Sequence, residues 1–227
     1  YFDRITRPEQ IISSLQQAIQ IMLDPADCGP ACISLSQDVQ GEVYDYPEEF
    51  FKERIHTIRR PKPDDFQIKE AAELIKKSKK PIIIAGGGIF YSDATEELSA
   101  FAVKHNIPVT QTVMGYSSMK KDHTHYLGTI GGLGGRAANN LSKETDTAIA
   151  IGTKLADFTT GSWANFENPN FKLVSINAAR FDANKHMAQA VVGDAKVSLM
   201  ELSQALGSWK ADENWHKKSR NELKDWE

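Results

Sequence analysis

The sequence predicts an α/β fold, a doubly wound parallel sheet with flanking helices. Three observations carry that prediction. Pro81-Ile82-Ile83-Ile84-Ala85 runs apolar and without alternation straight into Gly86-Gly87-Gly88, as a strand buried on both faces does before a tight turn. Similar short runs recur at 107–111, 147–152, 172–177 and 190–194. The segments between them place apolar residues at helical spacing, and strands that alternate with helices build parallel sheets.

Taken in order, residues 8–23 read as a helix. Pro8 suits a first-turn position and Thr6 a cap, while Ile11, Ile12, Leu15, Ala18, Ile19 and Met22 form one apolar face. Asp24-Pro25 ends it, Gly29-Pro30 turns the chain, and 31–35 reads as a short strand. Residues 36–63 show no sustained period and are rich in acids, aromatics and prolines, the mark of a connection, with a helical turn near 47–51. Asp64-Asp65 caps a helix over 66–78 whose buried side is Ile68, Ala71, Ala72 and Ile75. The lysines at 76, 77, 79 and 80 suit its carboxyl end. After the strand at 82–85 comes a helix over 92–105, capped by Ser92 or Asp93, then the strand at 107–111. Residues 112–133 read as a long glycine-bearing loop and 134–142 as a helix. The strands at 147–152, 172–177 and 190–194 and a helix over 195–206 complete the sheet. The tail 208–227 holds three of the four tryptophans on a charged helix whose apolar face is thin, which predicts docking on a neighbour outside the chain.

With 227 residues, 41% of them hydrophobic and 25% charged, the chain has the material for one large core. A net charge of −3 without a basic block argues against nucleic acid as a partner. No apolar run approaches the roughly 20 residues of a membrane span, and no signal peptide opens the chain. Cys28 and Cys32 form neither a disulfide framework nor a C-x-x-C motif, so a reducing cytoplasm is expected, with Cys32 a small core residue and Cys28 in a loop. Tyr1 in place of an initiating methionine, and a helical pattern still running at Trp226-Glu227, read as the ends of a piece of a longer protein.

Two glycine loops and one polar loop are the candidate sites. Gly86, Gly87 and Gly88 follow a strand, as a dinucleotide fingerprint requires. However, Tyr91 stands where Gly or Ala is needed, and the next strand ends at Gln111 rather than at an acid for the ribose. A tight turn, or a modified nucleotide or effector site, remains. Gly131, Gly132, Gly134 and Gly135 precede Arg136 and a helix start, an anion-friendly arrangement, but 122–127 does not read as the buried strand the fingerprint demands. Asp157 leads the polar loop after the strand at 147–152, at the carboxyl edge where α/β ligands sit. His123-x-His125 lacks further ligands, so both read as loop histidines. No Ser–His–Asp order, G-x-S-x-G elbow or Walker A motif is present, and no catalytic or metal residue is assigned.

In order along the chain, Lys80-Pro81-Ile82-Ile83-Ile84-Ala85-Gly86-Gly87-Gly88, Ile107-Pro108-Val109-Thr110-Gln111-Thr112, Leu127-Gly128-Thr129-Ile130-Gly131, Ala137-Ala138-Asn139, 150–158 and Val174-Ser175-Ile176-Asn177 resemble the central domain of thiamine-diphosphate-dependent enzymes of the acetolactate synthase type. Gly29-Pro30-Ala31-Cys32-Ile33-Ser34-Leu35 resembles the end of that family's pyrimidine-binding domain. The wording at 1–8, 37–47 and 161–164 is closest to a branch that opens a cyclic dione by C–C hydrolysis in inositol catabolism. The resemblance implies a Rossmann-like central domain at 64–207, the end of a pyrimidine-binding domain at 1–40, a linker at 41–63, and at 208–227 a linker helix toward a diphosphate-binding domain. It implies thiamine diphosphate and Mg2+ in the parent protein, with the cofactor as electron sink and water releasing the ring-opened acid. The activating glutamate and the magnesium–diphosphate ligands would lie in the flanking domains, so the fragment is expected to be inactive and to bind neither. It also implies a homo-oligomeric parent. Relatives can hold FAD or ADP on the loops matching 86–88, 128–136 and 152–157. The Gly132-Leu133-Gly134-Gly135 spelling departs from the flavin binders, and no flavin is expected. A regulatory FAD- or ADP-binding module of another such enzyme is the alternative, and a complete Rossmann-type oxidoreductase a third reading. The loop matching 112–135 approaches the active site in the family, which would bring Gln111 or Arg136 to substrate or cofactor.

Overall fold

The computed structural model describes residues 1–227 and divides them into two compact units, Tyr1–Arg59 and Arg60–Glu227.

In the first unit, β1 (Phe2–Ile5) and β2 (Cys32–Leu35) pair in parallel, Phe2 opposite Cys32 and Ile5 opposite Leu35. The helix α1 (Ile11–Leu23) is the crossover between them. β1 is absent from the sequence reading because Asp3 and Arg4 interrupt its apolar pattern; only Ile5 is fully buried. The cap at Thr6 is also corrected. Pro8 starts a 3-10 turn behind an extended Arg7, and it is Gln10 Oε1 that accepts from the Thr6 N–H, at 3.1 Å. Cys32, expected in the core, is exposed, as is Cys28. The helical turn near 47–51 is present as a 3-10 turn at Glu48–Phe51. Its aromatics pack on one another: Tyr46 lies 4.9 Å from Tyr44 and 5.6 Å from Phe50, ring to ring, and donates its hydroxyl to the Pro8 carbonyl.

The second unit holds α2 (Asp65–Lys76), β3 (Pro81–Ala85), α3 (Gly88–Tyr91), α4 (Thr95–His105), β4 (Val109–Gln111), β5 (Tyr126–Thr129), α5 (Arg136–Glu144) and β6 (Thr147–Ile151). It continues through α6 (Asp157–Thr160), β7 (Lys172–Asn177), α7 (Arg180–Ala183), β8 (Gln189–Val192), α8 (Ala195–Leu206) and α9 (Glu213–Trp226). The six strands are all parallel in the order β5-β4-β3-β6-β7-β8. Counted from the unit's first strand this is 3-2-1-4-5-6, the order of the dinucleotide-binding folds. Every residue of β3 and β6 is buried, and Ile82, Ile83 and Ile84 are wholly inaccessible. Each such side chain contributes about 2–3 kcal/mol of hydrophobic free energy before its ordering cost. Asp64 caps α2 through the Phe66 N–H at 2.8 Å. Asp194 caps α8 through the Val197 N–H at 3.1 Å.

Three expectations are corrected here. The loop 112–133 contains an edge strand, β5, which lengthens the sheet. Gly128 with φ +100° and polar flanks hide it in the sequence. The helix expected over 92–105 starts only at Thr95. Asp93, with φ +51°, breaks the chain from α3, and Ser92 Oγ accepts from the Ala195 N–H instead of capping α4. The tail does not look outward. α9 packs on α5 and β5 of its own unit, burying Trp215 and Leu223, and Trp215 Nε1 donates to the Pro81 carbonyl at 2.8 Å. A face of one Trp, one Ser and one Leu spaced four apart is enough because the sheet rim and α5 supply the rest of the contact.

Candidate functional site

The strand order reverses between β3 and β6, so the carboxyl ends of those two strands flank the crevice where open α/β sheets take ligands. The sequence puts glycines there, and the reason is contact between backbones. A Cβ on Gly86 would stand 2.3 Å from the Gly152 carbonyl oxygen. One on Gly88 would stand 2.5 Å from Gly152 Cα, and Gly152 itself has φ +60°. The same close approach brings Gly115, in the loop after β4, against the Ala85 carbonyl. These contacts consume the donors that a phosphate would need. Gly86 N–H donates to the Ile151 carbonyl at 2.9 Å, and Gly88 N–H to the Gly152 carbonyl at 3.0 Å. The helix that follows is a single turn. Tyr91, at the third fingerprint position, is 80% exposed, so no glycine-tight helix–strand packing forms there.

The second glycine loop does follow a strand, β5, contrary to expectation, yet it too is closed on itself. Gly131 has φ +104°, and a Cβ on it would stand 2.0 Å from the Phe158 carbonyl oxygen. Asn139 Oδ1 accepts from the Gly131 N–H at 2.9 Å, and Asn139 Nδ2 donates to the Gly131 carbonyl at 3.0 Å. Gly132 N–H donates to the Phe158 carbonyl at 2.7 Å, Gly134 N–H to Gly131 and Gly135 N–H to Thr129. Asn165 Nδ2 reaches Asn139 Oδ1 at 3.2 Å. The loop after β6 thus bridges both glycine loops, through Gly152 on one side and Phe158 on the other.

Arg136 does not face this crevice. Its guanidinium lies 5.6 Å from the centre of the Trp226 ring and donates to the Asp225 carbonyl at 3.1 Å. The carboxyl end of α9, where carbonyls carry partial negative charge, therefore meets the amino end of α5, where N–H groups carry positive charge. Asp157 opens α6, exposed and outside any ion pair. Gln111 is 1% exposed and spends its side chain on the loop that follows it, donating to the Met119 carbonyl at 2.9 Å and accepting from the Ser117 N–H at 3.2 Å. An open cleft of about 380 Å³ lies beside it, lined by Tyr116, Lys120, Lys121, Asp122 and Tyr126 among others.

The structure thus brings Gly86, Gly87, Gly88, Gly131, Gly132 and Asp157 to one edge of the sheet and leaves Arg136 at a helix contact. Gly152 was reached only as the start of the loop 152–157 that the resemblance implied, and its contact with Gly86 and Gly88 was not foreseen. Asn139 and Trp226 escaped the sequence reading of the site, and both act only through tertiary contact. Tyr91, Met114, Leu133 and Phe158 stand open on the loops of the same edge, each more than two-thirds exposed. No three His, Cys, Asp or Glu side chains gather in a metal-holding group. With most of the glycine-loop N–H groups also engaged, these residues do not fit a diphosphate–metal site by themselves.

The sheet order, the glycine-closed crevice and the helices on both faces agree with what comparison finds. Residues 68–202 match the family model of the thiamine pyrophosphate enzyme central domain. The chain belongs to that family. Over 226 residues, all of this chain, it is 44% identical to the 3D-(3,5/4)-trihydroxycyclohexane-1,2-dione hydrolase of Clostridium perfringens (strain 13 / Type A), covering 35% of that protein. Proteins of the same name from Bacillus licheniformis and Bacillus subtilis (strain 168) are 47% and 46% identical over 212 residues, 93% of the chain and 33% of each relative. The chain spans about a third of the length of the curated relatives it matches.

Proposed function

We propose that the chain is the central domain of a larger thiamine-diphosphate-dependent hydrolase. That enzyme cleaves a C–C bond of 3D-(3,5/4)-trihydroxycyclohexane-1,2-dione to give 5-deoxy-glucuronate in myo-inositol catabolism. The observation that carries this reading is identity of 42–47% to relatives of that name along nearly the whole chain, well beyond the segment that defines the family. Residues 1–40 are the end of a pyrimidine-binding domain, 41–63 a linker, 64–207 the Rossmann-like central domain and 208–227 the path toward a diphosphate-binding domain. Those domains, of the same protein, are its partners. They hold thiamine diphosphate and Mg2+, which supply the electron sink for C–C cleavage. The assembled enzyme is a cytoplasmic homo-oligomer. No helix here is long and apolar enough to cross a membrane.

The role of these residues is to position. The parallel sheet gives a rigid platform, the glycine contacts fix its carboxyl-edge loops, and Tyr91, Met114, Leu133 and Phe158 offer apolar surface to the adjoining domains. A regulatory FAD- or ADP-binding module is not favoured: the relatives share the hydrolase name across the whole chain, and the N–H groups of Gly86 and Gly88 are already bonded.

The test compares the complete gene product with the 227-residue chain. Each is given the dione, thiamine diphosphate and Mg2+, and dione loss is followed by chromatography. The complete protein is expected to turn over only with the cofactor, and the chain not at all. Condensation of 2-oxo acids by the complete protein, without dione cleavage, would move it to another branch of the family.

A further inference from the structure

Four of the histidines lie under or on the C-terminal arm that runs from Gly207 through α9, and each has a defined partner. His105, the last residue of α4, has no exposed surface. Its Nδ1 faces the Trp209 carbonyl at 2.8 Å, and its Nε2 faces Ser203 Oγ at 3.1 Å. A carbonyl only accepts, so Nδ1 carries the proton and Nε2 accepts from the serine. Ser203 Oγ also accepts from Lys104 Nζ at 2.9 Å, so a second ring proton would set two cations against one hydroxyl. The His105 carbonyl accepts from the Ala211 N–H.

His125, just before β5, is 6% exposed. Its ring stacks on that of His216 of α9, with centroids 4.2 Å apart and planes at 19°. Its Nε2 donates to Asn106 Oδ1 at 3.2 Å and its Nδ1 accepts from Thr124 Oγ1 at 3.0 Å. The Asn106 amide in turn donates to the Ala211 carbonyl of the arm. The His125 N–H donates to His123 Nδ1 at 3.1 Å, and His216 Nε2 donates to the Thr124 carbonyl at 3.0 Å. Every one of these bonds is satisfied with neutral rings. Parallel stacking points no two free nitrogens at a common point, so the group does not make a metal site.

We propose that the arm is an acid-releasable latch, held shut by the neutral rings of His105 and His125, whose opening frees Arg136 from Asp225 and Trp226. The charges that bear on His125 are all cationic: His216 and Arg220 from α9, and His123 from its own loop. Burial and those charges push it down to about 4. Burial lowers His105 as well, helped by Lys104 of its own helix and Lys210 of the arm and opposed by the bond to Trp209. His123 is also lowered by burial, with Asp122 opposing and Arg220 assisting. With the folded value below the ordinary one, the open arm binds protons that the closed arm excludes. Closure is therefore at full strength above pH 6.5 and weakens as pH falls toward 4. For His125 alone, that span allows a gain of about 300-fold in the open-to-closed ratio. Glu144, which pairs with Lys218 of α9 and Lys80, is held below its ordinary 4.5 chiefly by Lys218. Its own contribution is lost only as pH falls below about 4.5, at the acid end of the histidine window.

Amide hydrogen exchange of the 227-residue chain, corrected for intrinsic rates, reads the latch between pH 7 and 4.5, with the Trp215 indole N–H followed by NMR. Protection over 213–223 is expected to fall by up to about tenfold per pH unit below 6.5 for each titrating ring, and the indole to lose its bonded shift. Protection of β3 and β6 should hold meanwhile. His125→Gln, which keeps a donor for Asn106 and cannot titrate, should flatten that slope. If this variant does not fold, the imidazole Cε1–H titration of the wild-type chain stands in for it, with His125 expected well below 6.5. Equal arm protection at pH 7 and 4.5, loss of arm and sheet together, an unchanged slope in His125→Gln, or titration of His125 near 6.5 with the arm still closed would overturn the proposal.

Discussion

The two glycine loops share a spelling and differ in what holds them. Around Gly86 and Gly88 the neighbour is backbone: Gly152 from the adjacent strand end fills the space where side chains would begin. Around Gly131 the neighbour is partly a side chain, since Asn139 holds both polar groups of the glycine while the Phe158 carbonyl closes the remaining side. One loop is fixed by the packing of two central strands. The other sits on an edge strand and needs an amide reaching back from the next helix. A glycine motif after a strand is thus no evidence of a nucleotide until its N–H groups are traced, and in both loops most of them end inside the fold.

Substitutions separate the two kinds of closure. Gly131→Ala should cost the most, about 4 kcal/mol by chemical denaturation, because it combines a left-handed backbone with overlap against a carbonyl 2.0 Å away. Gly88→Ala follows at about 3 kcal/mol, since the obstructing atom at 2.5 Å is backbone of a central strand's end and cannot swing aside. A small effect there would mean that β3 and β6 can part at their ends, and the contrast between the loops would fail. Asn139→Ala should cost about 2 kcal/mol through the bonds to Gly131 and Asn165, and raise hydrogen exchange at Gly131 while leaving Gly86 protected. Gly132→Ala has the opposite sign. Its nearest neighbours are 3.9 Å away and its φ is not positive, so a gain of about 0.5 kcal/mol is expected from a stiffer unfolded chain.

Much of the central sheet was legible in the sequence because burial on both faces writes a plain signal. The runs at 81–85 and 148–151 are uninterrupted and apolar and lead into glycine, and β7 carries one small polar residue, Ser175, before it ends at Asn177. Edge and satellite elements carry weaker signals. β5 has only Tyr126 and Leu127 fully covered and a glycine inside it, and β1 alternates with charged residues. Periodicity has little to act on in four residues, and both strands are specified by their partners. α9 was legible as a helix but not in its destination, because Trp215 and Leu223 are chosen by the surface they meet. In the site, glycine spacing located the edge of the sheet correctly. Which donors remain free is a property of hydrogen bonds between residues about 20 to 70 positions apart, such as Gly132 to Phe158 and Gly86 to Ile151, and no local pattern encodes it. The same holds for Arg136, which the sequence offers as an anion ligand and the fold gives to Trp226.

The central claim is that the carboxyl-edge crevice of this domain is closed by its own backbone and acts as scaffold. Calorimetric titration of the 227-residue chain at pH 7.5 with ADP, and separately with FAD, tests it most directly. The account predicts heats of dilution alone with either ligand up to about 1 mM, an affinity no better than about 4 kcal/mol. Saturable binding at micromolar concentration, abolished by Gly132→Ala or Gly87→Ala but not by Arg136→Ala, would contradict it and make the crevice a nucleotide site.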